Sequence, residues 1–121
     1  MSIRIGNLGE QLVCDRLQAL GWTIAARQWK CRWGELDIVA VRDSDLKFVE
    51  VKTRSHRNWD ASGALAITPR KQRRLIRTAQ VFLQQHPDYF SCNCIFDAAL
   101  VSIGDRQHLE LHEYIESAFE L

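Results

Sequence analysis

The stretch at positions 34–54, GELDIVAVRDSDLKFVEVKTR, decides how the rest of the chain is read. It divides into an apolar run carrying one aspartate, a short polar turn and a second apolar run that ends in Glu-Val-Lys. Because successive strand residues point to opposite faces, a strand over 35–41 places Leu36, Ile38 and Ala40 on one face and Asp37, Val39 and Val41 on the other. In a strand over 46–52 the same period groups Phe48, Glu50 and Lys52, backed by Val49 and Val51. With 42–45 as the loop of an antiparallel hairpin, Val41 pairs with Leu46, and counting outward sets Asp37 directly across from Glu50. Lys52 stands one step further along the same face.

Two facing carboxylates weaken a sheet. Like charges directly opposite are destabilising, and at ~4 Å with an effective dielectric of about 20 their repulsion is on the order of 4 kcal/mol. A divalent cation offsets it, since one or two carboxylates with water and phosphate oxygens suit Mg²⁺. The competing reading makes Glu50 and Lys52 ordinary residues of a solvated strand face, with Asp37 beside a turn. An aspartate opposite Glu-x-Lys, on an otherwise apolar strand, favours the metal site.

The segment Gly34-Glu35-Leu36-Asp37-Ile38-Val39-Ala40 followed by Phe48-Val49-Glu50-Val51-Lys52-Thr53-Arg54 resembles the YraN family of small bacterial endonuclease-like proteins. More widely it is similar to the PD-(D/E)xK nuclease superfamily, with archaeal Holliday junction resolvases nearest in layout. The resemblance runs from Gly6 to about Ile103, and Leu36 stands where the superfamily motif has proline. It implies an α/β fold: a single-domain restriction-endonuclease-like core over about 6–103, with a central mixed β-sheet flanked by helices in the order αβββαβ. It also implies a metal-dependent nuclease with the catalytic set Glu10, Asp37, Glu50 and Lys52. Asp37 and Glu50 would hold Mg²⁺ or Mn²⁺, with the backbone carbonyl of Val51 as a further ligand. Glu10, matching a glutamate on the first helix of resolvase-like nucleases, would complete the site or orient a water, and Lys52 would position or deprotonate that water. The same relatives imply a symmetric homodimer.

Composition suits one domain over 1–121, since 121 residues that are 46% hydrophobic can enclose a single core. The lack of a long apolar run speaks against a membrane span or signal peptide, so a cytoplasmic protein is expected. Cys14, Cys31, Cys92 and Cys94 form no paired C-x-x-C pattern and read as reduced thiols, not as a zinc site. A net charge of +1 conceals a division: positions 54–77 hold seven basic residues against Asp60, whereas 78–121 hold seven acids against Arg106. A basic block directly after a carboxylate pair points to a phosphate backbone led toward it, with Arg54, Arg70, Lys71, Arg73, Arg74 and Arg77 as nucleic-acid contacts. A solvated basic helix face is the alternative. No base-reading motif is present, so contact by shape or without sequence preference is expected; the residues leave branched DNA, duplex ends, single strands and RNA open, and the resemblance implies DNA, branched or structured.

In chain order, a helix over 6–20 carries Val13, Leu17 and Leu20 at helical spacing and stops at Gly21. Glu10 lies at the edge of that stripe, either snorkelling or aimed inward. A short strand over 22–27 leads into a polar connection over 28–33, where Trp29 and Trp33 could stack on bases or cover a core edge. Positions 55–67, with Trp59 and Gly63, read as a mobile loop beside the site. A second helix follows from Thr68 as N-cap and Pro69 in the first turn, ending before Pro87, with the stripe Leu75, Ala79, Phe82 and Leu83. Lys71 edges that stripe, as a snorkelling lysine or, as the resemblance suggests, a phosphate contact. A core strand over 92–103 contains Asp97, read as structural beside the basic helix. A weak strand over 107–111 and a tail helix over 113–121, with Tyr114, Ile115, Ala118 and Phe119 on one side, close the chain. Two readings compete with the nuclease: a non-catalytic nucleic-acid-binding module on the same scaffold, and an adaptor that uses the acidic C-terminal third.

Overall fold

Helix α1 (Ile3–Ala19) buries Val13, Cys14 and Leu17, and the computed structural model describes the chain over residues 3–55 and 67–120. Gly21, at φ 92, ends the helix in a conformation that side chains disfavour. Strands β1 (Thr23–Cys31), β2 (Gly34–Arg42) and β3 (Asp45–Ser55) form an antiparallel meander. Helix α2 (Pro69–Gln85) leads to β4 (Asn93–Ile103), parallel to β3, and β5 (Leu109–Phe119) returns antiparallel. The result is one α/β domain with a mixed sheet in the order β1-β2-β3-β4-β5. Among the described residues no helix is long and apolar enough to cross a membrane.

Each helix covers its own hydrophobic cluster. Val13 and Leu17 of α1 pack with Ile38, Ala40, Val49, Ala99 and Val101. Ala79 and Phe82 of α2 pack with Leu36, Val39, Leu46, Phe48 and Phe96, Phe82 meeting the Trp29 ring edge-on at 5.3 Å. The start of α2 is as read from sequence: Thr68 is extended, its side chain accepts from the Lys71 N–H, and proline occupies the first turn.

Four expectations are corrected. Leu36 does not share a face with Ile38 and Ala40 but joins Val39 in the cluster under α2; strict alternation fails around Asp37, for a reason given below. β1 continues to Cys31 instead of ending at Arg27, so Gln28 and Trp29 are strand residues. No tail helix forms: β5 is one strand through Phe119. Its pairing with β4 shifts register between Phe96 and Ala98 and between Leu100 and Val101, and Ser117 has φ 49. These bulges give Tyr114, Ile115, Ala118 and Phe119 a spacing that imitates a helix. Finally, Asp97 serves the α1 side and not the basic helix. Fully buried, it accepts from the Tyr114 hydroxyl and, at 2.9 Å, from the Ser117 N–H in the bulge. It also pairs with Lys47 Nζ at 2.8 Å. The loop expected over 55–67, with Trp59 and Gly63, lies at positions 56–66 outside the described residues.

Gly9 sets how closely α1 approaches the sheet, because a Cβ there would stand 2.2 Å from Thr53 Oγ1 on β3. Gly9→Ala is therefore expected to destabilise by roughly 1–3 kcal/mol, as overpacking does, despite alanine's better helix propensity. Urea denaturation checks this, and a variant as stable as the parent would show that α1 can shift freely.

Candidate active site

The β2–β3 register is the one counted from sequence. Val41 pairs with Leu46, and the ladder runs to Ile38 opposite Val49. Asp37 and Glu50 come next, and there the backbone pairing gives way: Asp37 Oδ2 accepts the Val51 N–H at 2.9 Å. A side chain thus takes a donor that a strand carbonyl would otherwise take. Lys52 Nζ lies 3.2 Å from Glu50 Oε1, with 22% and 15% of the two side chains exposed, so the pair is partly desolvated yet open to a ligand. Burial, then the charge of Glu50, raises the Asp37 carboxyl to about 8, against the pull of the Val51 N–H.

The strand on the other side of Asp37 explains the failed alternation. The β1–β2 register pairs Arg27 with Ile38 and Trp29 with Leu36, so Gln28 falls opposite Asp37. Gln28 has φ 50, a left-handed conformation uncommon for residues other than glycine. Arg27 accordingly reaches α1, where it donates to Gln11 at 2.8 Å, while Trp29 packs under α2. Sequence reasoning missed Gln28; the only signal was a polar Arg-Gln pair inside a run that otherwise alternates.

Gln28 also fastens the third carboxylate. Its Nε2 donates to Asn7 Oδ1 at 2.7 Å and to Glu10 Oε1 at 3.2 Å, and Arg27 lies 3.8 Å from the same oxygen. Glu10 faces the sheet, the inward one of the two orientations that its place on the helix left open. Burial raises its pKa, opposed by Gln28 and Arg27, with the charges of Glu35 and Glu50 adding to the rise. Among the described residues, no three His, Cys, Asp or Glu side chains converge as a ready metal cage. Asp37 and Glu50 form the pair, and Glu10 stands within electrostatic reach of both.

Of the basic residues, Lys71 arrives at the site. The ammonium of Lys52, followed by burial, lowers its pKa, while Glu50 opposes the shift. Arg54 acts on Lys71 in the same direction as Lys52 and is exposed at the end of β3. Arg70 and Arg73 are exposed on α2. Arg74 and Arg77 do more than face solvent: a Cβ on Gly34 would lie 3.3 Å from Arg74 Cγ, and the Arg77 guanidinium sits 3.6 Å from the centre of the Trp33 ring. The β1–β2 turn is thereby clamped to α2.

This chain matches the family model described as uncharacterised protein family UPF0102 over residues 9–101, a span that takes in Glu10, the hairpin and α2. The chain belongs to the UPF0102 family. It is 51% identical over 120 residues to a UPF0102 protein of Synechococcus sp. (strain JA-3-3Ab), covering 97% of this chain and 92% of that one. A UPF0102 protein of Nostoc sp. (strain PCC 7120 / SAG 25.82 / UTEX 2576) is 45% identical over 133 residues, covering 98% and 95%. One of Acaryochloris marina (strain MBIC 11017) is 50% identical over 109 residues, covering 83% and 63%.

The raised Asp37 gives the stability of this UPF0102 chain one pH-dependent contribution whose sign is defined. Between 3.8, its ordinary value, and about 8, the folded state keeps a proton that the unfolded state has released. Stability contributed by Asp37 is thus fully present below the ordinary value and is lost as pH rises through the folded one. In EDTA, the parent is expected to lose stability relative to Asp37→Asn across this window, so that the variant is the more stable at pH 8. Paired urea titrations check this; parallel curves for the two proteins would contradict it.

Proposed function

We propose that this protein is a metal-dependent nuclease of PD-(D/E)xK type, akin to the YraN and resolvase-like enzymes, that hydrolyses phosphodiester bonds in DNA. The observation that carries the reading is the convergence of Asp37 and Glu50 at a break in the strand ladder, with Lys52 3.2 Å from Glu50. The donor set fits Mg²⁺ or Mn²⁺: it consists of hard carboxylate oxygens, and of the causes that raise Asp37 to about 8, burial first and then the charge of Glu50, a bound cation relieves the second. Asp37 and Glu50 would hold the ion, with the Val51 carbonyl as a further ligand. When bound, it polarises the phosphate and lowers the pKa of a coordinated water.

The chain's own residues divide the remaining work. Asp37 is held in place by the Val51 N–H, which donates to its Oδ2. Glu10, fixed by Gln28, accepts a hydrogen bond from the attacking water and orients it. The Lys52 ammonium lies where it can compensate negative charge developing on the phosphoryl oxygens. Lys71, Arg54, Arg70 and Arg73 would take the flanking phosphates, giving affinity without sequence preference.

A second reading is a nucleic-acid-binding module without catalysis, in which exposed Arg54, Arg70 and Arg73 take phosphates and the carboxylate pair carries no chemistry. One experiment separates the two. The purified protein is incubated with linear, nicked, flapped and four-way DNA and with RNA, in Mn²⁺ or EDTA. The nuclease reading expects Mn²⁺-dependent cleavage of at least one DNA, lost in EDTA and in Asp37→Ala, and reduced about 100-fold or more in Lys52→Ala. Binding without cleavage would favour the module, and cleavage that survives Asp37→Ala would remove the hairpin from the chemistry.

A further inference from the structure

A cavity of about 620 Å³ lies at the C-terminal end of α1 and shares no lining residue with the Asp37 site. That volume falls within the range of about 300–1,000 Å³ typical of small-molecule sites. Its walls combine three cations, Arg16, Arg42 and Lys47, with the apolar Leu17, Leu20 and Trp22.

Arg42 and Lys47 are held in place by the fold. Arg42 Nη1 donates to the Leu20 carbonyl at 2.9 Å, which leaves four of the five guanidinium N–H groups for other partners. Its Cζ lies 4.4 Å from the centre of the Trp22 ring, and Lys47 Nζ lies 4.7 Å from the same ring. One indole therefore carries two positive charges at the cavity wall. Lys47 is buried, and Asp97, its partner at 2.8 Å, is fully buried and outside the cavity lining. Tyr114 lines the cavity too, but its hydroxyl donates to Asp97. Glu116 is the one acid among the lining residues; its side chain is 77% exposed and stands 3.9 Å from Lys47, beyond hydrogen-bond range.

We propose that this cavity binds a small organic oxyanion: a single carboxylate or phosphate head on an apolar body. The head sits against the Arg16 and Arg42 guanidinium groups, with Lys47, already paired with Asp97, closing the cationic side of the cavity. The body lies against Leu17 and Leu20. Nothing in this inference depends on the nuclease reading of Asp37 and Glu50.

The test uses phenyl phosphate and benzoate as phosphate and carboxylate probes, with phenol and benzyl alcohol as neutral counterparts. The readout is the Trp22 indole N–H resonance, followed by titration. At least one anion is expected to shift that resonance saturably while its neutral counterpart does not, and the responding anion names the head group. Arg16 is exposed, so Arg16→Gln should preserve the fold and weaken binding about tenfold or more. Asp37→Asn should leave the titration unchanged. A Trp22 resonance indifferent to both anions would overturn the proposal, as would an equal response to the neutral compounds or an unaltered affinity in Arg16→Gln. Loss of the response in Asp37→Asn would likewise overturn it, by assigning the anion to the other site.

Discussion

The hydrogen bond from the Val51 N–H to Asp37 Oδ2 is the contact on which the candidate site depends. An aspartate on a regular strand would point away from its neighbour's backbone. Here the β2–β3 ladder stops at Ile38 and Val49, and the carboxylate substitutes for the next carbonyl. Left-handed Gln28 on β1 lets the strand on the other side follow the same distortion, and its amide holds Glu10. Non-glycine residues in this conformation cost of order 1–3 kcal/mol each and persist where the surrounding structure fixes them. The fixing is visible: Arg27 and Gln28 are tied to α1, and Trp29 is packed against Phe82.

A second constraint stabilises the other half of the sheet. Asp97 joins three elements at once, since Lys47 comes from β3 while Tyr114 and the Ser117 N–H come from β5. Burial first, and then the hydrogen bond to Asp97, pushes the Tyr114 phenol well above its ordinary range, which keeps it a donor. Removing one member of such a buried pair leaves an uncompensated charge. The bulged shape of β5 follows, because the Ser117 N–H can reach Asp97 only where the strand departs from regular pairing.

What was legible in the sequence were the features set by local chemistry. Thr68 and Pro69 mark the start of α2 because a cap and a fixed φ act within one turn, and its apolar stripe names the residues that pack. Hairpin register follows from counting out from the turn, which sets Asp37 beside Glu50. What stayed hidden depends on partners distant in sequence. Nothing in the spacing of Leu36 and Ile38 reveals that Gln28 kinks the neighbouring strand. Tyr114, Ile115, Ala118 and Phe119 fit a helix as well as they fit a twice-bulged strand, and only the anchorage at Asp97 decides between them. The α1-side role of Asp97 was equally invisible, since its counter-ion Lys47 lies on another strand.

The central claim is that Asp37 and Glu50 are held together, at the expense of the metal-free fold, in order to bind a divalent cation. Thermal melting of the parent, Asp37→Asn and Lys52→Ala in EDTA and in millimolar Mn²⁺ tests it most directly. The account predicts that Mn²⁺ raises the melting temperature of the parent and of Lys52→Ala, because an ammonium is no ligand, and leaves Asp37→Asn unmoved. A parent that melts identically in EDTA and in Mn²⁺ would contradict it.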